Sequence, residues 1–310
     1  MYQVRDFHDE IASLLNGRKA NSRGWVRFNC PACLTLTGKE DRRASAGVNV
    51  SSGGFNCFKC SLSGYLSGYG EGPQGPSHSG SKDDSWAPIE PPPGFVYLDS
   101  AAGRSHRYKK ARRYLFGRGV PQQMWGPLGI GVCDVRACTD YDVDSIKLAR
   151  QLNGRICVPV RETNDVWRGY VARAYYRNPY RKYHNAPGGW REGCVWNPRA
   201  LLLDDPDPVL VMEGLFDALP SYPNAVALLG KPTKSQEALL RASVRPIVMC
   251  LDGDAWRLSK GVALKLHYQG QRVGFVKLPP ERDPNDLNPT ELMKSARISV
   301  RDQNWRKEIY

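Results

Sequence analysis

The stretch that most restricts what this chain can build is PIVMCLDGD, Pro246–Asp254, where an apolar run stops at two aspartates. Ile247–Leu251 is too short for a helix and follows a proline, so it reads as a strand buried on both faces of a parallel sheet. Asp252 and Asp254 then stand at its carboxyl end, where sheets of this type place their chemistry. Side chains two apart on an extended chain face the same way, so both carboxylates are expected at one site. PVLVMEG, Pro208–Gly214, has the same form and releases Glu213. A third strand, RVGFVKLP, runs into ERDPNDL and adds Asp283 and Asp286. Acids delivered together by several strand ends suit Mg²⁺ or Mn²⁺. Taken singly, each reads first as a helix cap or a solvated turn.

Around these strands the pattern alternates. AVALLG is a further strand, and TKSQEALLRAS and SKGVALKLHYQG are helices, which implies a small parallel sheet with helices on both faces. Lys231 and Lys234 follow AVALLG near the same edge, as neutralisers of a triphosphate or as turn residues. The final stretch from Glu291 is expected to be a helix and a basic tail.

The amino-terminal part carries a different chemistry. Val4, Phe7, Ile11, Leu14 and Leu15 form a helical stripe expected to pack on the cysteine-bearing segment next to it. Cys30 and Cys33, then a gap spanning 34–56, then Cys57 and Cys60 match two tight knuckles holding one structural Zn²⁺. Two disulfides or a redox pair are the competing readings, disfavoured by a reducing compartment and by the second pair respectively. Zinc would supply on the order of 10 kcal/mol to so small a module. Residues 67–94 are mostly Gly, Pro and Ser and read as a flexible linker spanning roughly 30 Å, on which the module could move.

Charge points to the partner. The 310 residues carry a net +13, which favours a polyanion, nucleic acid over membrane. Between Ser100 and Cys133 there is no acid, while Arg112 and Arg113 stand within a run of seven cations. Such a run reads as a nucleic-acid contact against a plain solvated face. GRICVPV and WRGYVARAYY form an expected hairpin turning at Glu162–Asp165. From there to Glu192 cations again alternate with aromatics, Arg173, Lys182 and Tyr183 among them, a mixture suited to unpaired bases or simply to strand composition. No apolar run approaches the ~18 residues of a membrane span, and MYQVRDFHDE has no signal-peptide pattern, so a soluble cytoplasmic protein is expected.

EGLFDAL, LDGD and DPND, in that order on successive strands, resemble the Toprim domain shared by DnaG-type primases, topoisomerases and some nucleases. CPAC and FNCFKC resemble the knuckles of the primase zinc domain, and ARRYLFGRGVPQQMWGPLGIG, RICVPV, GYVAR and KYHNAP resemble the basic subdomain preceding Toprim. The resemblance runs from about Arg27 to Leu287 and implies an α+β chain: zinc ribbon (1–66), linker (67–94), basic subdomain (95–207), Toprim subdomain (208–290) and tail (291–310). It implies a DNA-dependent RNA primase that copies single-stranded DNA from ribonucleoside triphosphates into a short RNA primer, beside a separate replicative helicase. The zinc domain would help choose the template site.

In that reading Glu213 is ligand or general base, Asp252 and Asp254 hold a metal, and Asp283 and Asp286 hold a second. Asp217 is a weaker candidate. Arg155, Arg173 and Lys182 would contact template, primer or nucleotide phosphate. The chain departs from the family pattern at Asn197, where a lysine is usual, with Arg199 two residues on, and at Trp256 after the DGD. No GxxxxGK[ST] occurs, which suggests a stand-alone enzyme most like those of bacteriophages. A Toprim nuclease or a zinc-plus-Toprim recombination mediator are the alternatives.

Overall fold

The computed structural model describes residues 11, 13–15, 17–22, 24–51, 53–60, 62–65, 88–139, 142–279 and 281–306. The expected stripe residues Val4 and Phe7, and residues 67–87 of the expected linker, lie outside these.

Among the described residues, three four-stranded sheets succeed one another along the chain. The first is an antiparallel meander of β1 (Trp25–Phe28), β2 (Ala46–Asn49), β3 (Gly54–Cys57) and β4 (Ser63–Tyr65), with helix α1 (Ala32–Thr37) after the first knuckle. Ile11 and Leu15 bury their side chains against it, as the stripe predicts.

The second sheet takes β5 (Phe95–Tyr97), then helices α2 (Lys109–Gly117) and α3 (Trp125–Leu128), then β6 (Gly131–Cys133). Helix α4 (Val143–Leu152) precedes the long hairpin of β7 (Arg155–Arg161) and β8 (Trp167–Ala174). The hairpin is antiparallel and its turn is closed by Glu162 N–H donating to the Val166 carbonyl at 2.9 Å. Ile89 N–H donates to the Trp167 carbonyl at 3.0 Å, so the last residues of the expected linker are fastened to β8.

The third sheet is wholly parallel, in the order β10 (Ala225–Ala227), β9 (Val209–Met212), β11 (Ile247–Met249), β12 (Val273–Phe275). Its helices are α5 (Leu215–Ala218), α6 (Lys234–Arg241), α7 (Trp256–Tyr268) and α8 (Pro289–Asp302). Alternation along the strands divides the core. Leu210, Met212, Val248 and Cys250 face Leu292 and Ala296 of α8 and share a continuous core with the second sheet. Val209, Val211, Ile247 and Met249 face Val262 and Leu266 of α7. Both faces are therefore covered, as continuous apolar strands require.

The stretch from Glu291 forms the expected helix, within α8, and is packed rather than trailing: Leu292 and Ala296 are buried against the sheet, and Trp305 closes the opposite face beside Phe275. The zinc module touches the parallel-sheet unit through Leu36 of α1 and Tyr268 of α7, each of which packs against both neighbouring cores. Sequence spacing gives no sign of such a contact between residues more than 200 positions apart.

Candidate active site and zinc centre

At the carboxyl edge of the parallel sheet, two glycines let the acids be placed. A Cβ on Gly214 would meet Asp217 Oδ2 at 2.2 Å, so a larger residue there would displace the Asp217 carboxyl. A Cβ on Gly253 would meet the Pro279 carbonyl at 2.0 Å, and its N–H donates to the Arg282 carbonyl at 2.9 Å. The LDGD turn is thus pressed onto the segment that leads to Asp283. β11 ends at Met249, and Asp252 begins a 3₁₀ turn over Gly253–Ala255 instead of continuing an extended strand to Asp254. The alternation expected for those two acids does not occur.

Glu213, Asp217, Asp252 and Asp283 line one wall of a cavity of about 400 Å³. Arg173, Lys182, Tyr183, Asn185 and Arg191 line the other. The acids come from the parallel sheet; the cations come from β8 and the segment after it. Asp254 lies outside the lining but close enough to raise the proton affinity of both Glu213 and Asp252. Asp286 is exposed and caps its own turn, accepting from Asp283 N–H at 3.2 Å.

Crowding shows in the proton affinities. Burial, then the charges of Asp217, Glu213, Asp283 and Asp254, push Asp252 up from 3.8 to about 6. Burial and Asp254 raise Glu213, with Lys231 opposing them. Burial also raises Asp217, outweighing the guanidinium of Arg118, which lies 2.7 Å from Asp217 Oδ1. Arg118, from the turn after α2, therefore fastens the basic subdomain to this edge.

The donor set fits a divalent cation. Asp252 Oδ1 is buried without a hydrogen-bond partner. The carboxylates are not gathered into a closed cage: among the described residues, only the four paired cysteines bring three or more ligand atoms within 4.8 Å of one another. An open, oxygen-lined wall suits Mg²⁺, which keeps several waters and is usually held by one or two carboxylates together with phosphates.

On the opposite wall Arg173 is 8% exposed and donates to the Tyr183 hydroxyl at 2.6 Å. Its guanidinium sits 5.2–5.7 Å from the ring centres of Tyr183, Phe216 and Tyr114, which orient it in a low-dielectric setting. Burial lifts the Tyr183 phenol to about 12, so it stays a hydroxyl. Arg191 is not singled out by the sequence, although it lies in the acid-free run; Gln236 of α6 positions it by donating to its carbonyl at 2.9 Å.

Several expected contacts lie elsewhere. Arg155 is 5% exposed, and its guanidinium donates to the carbonyls of Gln151, Arg181 and Lys182, so it shapes the loop that carries Lys182. Arg199 pairs with Asp165 at 2.8 Å at the hairpin turn, and Asn197 donates to the Pro223 and Ala225 carbonyls. Neither lines the acidic cavity. Arg112 donates to the Gly103 and Ser105 carbonyls, whereas Arg113 is exposed. Lys231 is exposed near Glu213, and Lys234 lines a separate groove. Trp256, which leaves the family pattern, packs against the core below and has Lys277 Nζ 4.3 Å from its ring centre.

The second centre is sulfur. Cys30 and Cys60 Sγ are 3.7 Å apart, Cys33 and Cys57 Sγ 3.6 Å. A zinc tetrahedron with bonds near 2.3 Å has an edge of about 3.8 Å, so the four thiols fit one structural Zn²⁺. Sharing protons with neighbouring thiols and burial drive Cys30 upward, while the hydrogen bond from Cys30 lowers Cys60 to about 6. Asp41 braces the knuckle, accepting from the N–H groups of Cys30 and Ser45 at 2.9 and 2.8 Å. Burial opposes its charge, but these bonds win and hold it at about 2.

Comparison with solved structures agrees with this architecture. A DnaG primase catalytic domain bound to single-stranded DNA matches with a TM-score of 0.52 and 23% identity, over 67% of this chain and 74% of the other. A DNA primase domain from Pseudomonas aeruginosa matches at 0.50 and 24%, over 65% and 73%. This chain has the primase catalytic fold. The zinc-binding and RNA polymerase domains of Aquifex aeolicus primase align over 96% of this chain and 83% of theirs, at 19% identity and a TM-score of 0.49. No protein-family profile and no curated protein matches the sequence. In this chain a parallel, acid-edged sheet adjoins an antiparallel basic one, and the cavity between acids and cations lies where they meet.

Proposed function

We propose that the chain is a DNA-dependent RNA primase, joining ribonucleoside triphosphates into short RNA on a single-stranded DNA template. One observation carries this reading: a single cavity sets four carboxylates against three cations, on a fold shared with primase catalytic domains. Binding alone gives no reason for such an opposition of charges; metal-dependent cleavage would share it, and the fold shared with primase catalytic domains is what favours synthesis. The triphosphate and the growing strand bring negative charge that Lys182, Arg173 and Arg191 neutralise. Asn185 Oδ1, a buried acceptor without a partner at this wall, suits a ribose hydroxyl.

Asp252 would hold a divalent cation, with Asp283 beside it. Such an ion, when bound, stabilises charge on the phosphoryl oxygens in the transition state. The 3′ hydroxyl attacks the α-phosphate, the bond to pyrophosphate breaks, and Glu213, whose proton affinity is raised, receives the hydroxyl proton. Asp217, held by Arg118, aligns the basic wall with the acidic one rather than binding metal directly. The ribbon would recognise the start site, and a separate replicative helicase is the expected partner.

The test is incorporation of labelled ribonucleotides on mixed-sequence single-stranded DNA with Mg²⁺ or Mn²⁺. The native chain should give short RNA, and Glu213→Gln and Asp252→Asn should each lower the yield at least about 100-fold. A degraded template would replace this reading with a nuclease; binding without synthesis would replace it with a mediator.

A further inference from the structure

Trp256 is one of the places where the chain leaves the family pattern, and the cavity chemistry makes no use of it. It opens α7 two residues after Asp254, and its half-buried ring packs against the core on the α7 side of the parallel sheet. Two cations stand over that ring: Lys277 Nζ is 4.3 Å from its centre and the Arg257 guanidinium carbon 5.0 Å. The place of Lys277 is set by β12. Val276 N–H donates to the Met249 carbonyl at 3.1 Å, which carries the pairing with β11 past Phe275. Side chains alternate, so Lys277 falls on the face of Val273 and Phe275, which are buried toward α7. There the apolar stripe reaches the carboxyl edge of the sheet and becomes charged.

Both cations are exposed, and among the described residues neither forms an ion pair, although Asp254 lies three residues before Arg257 and is itself unpaired. The positive charges rest on the ring instead of on the neighbouring acids, and an anion that takes both would relieve their mutual repulsion. The acidic edge therefore has cations on each side. Lys182, Arg173 and Arg191 stand across the cavity, while Lys277 and Arg257 stand on the α7 face. Because β12 adjoins β11 at about 5 Å, this second set is one strand away from Asp252. The ribbon has no part in it: Tyr268, where the ribbon touches α7, is about 18 Å along the helix axis from Trp256.

In the reaction proposed above, the cavity cations serve the triphosphate of the incoming nucleotide, whose α-phosphate is attacked and whose pyrophosphate leaves. The first nucleotide of a chain begun without a primer gives up only the proton of its 3′ hydroxyl and keeps its own triphosphate. We propose that Lys277 and Arg257, mounted on Trp256, hold the 5′-triphosphate of that starting nucleotide. With its 3′ hydroxyl at the acidic edge and the incoming nucleotide on the cavity side, the triphosphate extends to the α7 face. A triphosphate concentrates several negative charges in a small volume and so suits two cations on one ring; a strand backbone offers one charge per residue. The proposal rests on the primase reading and adds to it a subsite used in starting a chain and not in lengthening one.

The test compares the full, zinc-loaded native chain with Lys277→Ala/Arg257→Ala. Both side chains are exposed, so the variant should melt close to the native protein. Dinucleotide synthesis on single-stranded DNA is started with a nucleoside triphosphate or with the matching nucleoside, and extension is followed from an annealed oligoribonucleotide with a 5′ hydroxyl. The variant should raise the KM of the starting triphosphate about tenfold or more, and leave the nucleoside start and the extension unchanged. Equal loss in all three would assign the cations to the strand backbone, and no loss in any would leave them without a role; either result overturns the proposal. Calorimetric titration with tripolyphosphate in the absence of Mg²⁺ separates this from failure of the primase reading. One binding event of the native chain should weaken about tenfold in the double variant and survive in Arg191→Ala, and unaltered binding in the double variant would overturn the proposal. Weakened binding in a chain that makes no RNA would uphold the polyphosphate site and remove the primase reading; RNA synthesis with unaltered binding would do the reverse.

Discussion

Asp252 carries the clearest electrical signature in the molecule. Its carboxyl titrates at about 6 in the fold against an ordinary 3.8. A raised value means the fold holds the proton more tightly than the open chain does, so this group's contribution to stability is full below about pH 4 and is lost as pH rises through 6. Above that range the metal-free protein bears crowded like charges along the acidic wall, which a divalent cation relieves. Thermal melts with and without Mg²⁺ should therefore show a larger stabilisation at pH 8 than at pH 5. Asp252→Asn should melt higher than the native chain without Mg²⁺ at pH 8 and gain little when Mg²⁺ is added. An equal Mg²⁺ increment in the variant would place the cation elsewhere. Arg118 makes the opposite case. Removing it as Arg118→Ala leaves Asp217 buried without its partner, a change worth about 3–5 kcal/mol. Adding Asp217→Asn should restore much of that loss, which denaturant titration of the single and double variants would measure.

At the scale of elements, legibility tracks periodicity and spacing. The parallel strands, the hairpin and the paired cysteines are local patterns, and each stands where the residues place it. The acidic wall is legible for the same reason, since strand ends announce themselves. What local pattern does not reach is the use of cations. Arg155, Arg173 and Arg191 are alike in sequence, yet one binds carbonyls in the interior, one is framed by rings, and one is held over the cavity by a glutamine on α6. Only the tertiary arrangement separates them. The DGD turn is not legible because its conformation is imposed by Pro279, on a different strand exit. Gly253→Ala is accordingly expected to push that segment away by clashing with a carbonyl, not a flexible side chain. RNA synthesis should fall at least about tenfold while far-ultraviolet circular dichroism stays near native. Asp41→Ala in the ribbon removes the acceptor for two N–H groups and should cost about 1–3 kcal/mol, with faster zinc loss to a chelator.

For the whole molecule, the question is whether the ribbon acts as a tethered probe or as a fixed part. A Gly, Pro and Ser stretch argues for the former, but it governs only what happens when the ends are otherwise unattached. Here Leu36 and Tyr268 each contact two cores, so the ribbon has a seat on α7. The contact is small, and burying two such side chains is worth a few kcal/mol at about 25 cal/mol per Å². Tyr268→Ala combined with Leu36→Ser should shift the balance to the released state without touching the cysteines or the acidic cavity. Small-angle scattering should then show a larger radius of gyration and a longer maximum dimension, with zinc content unchanged. If both variant and native chain scatter alike, the ribbon is either held by further contacts or released in both. Comparison of the native curve with that expected for the seated form decides between them: a match means the seat is stronger than these two residues, and a larger native dimension means it is weaker.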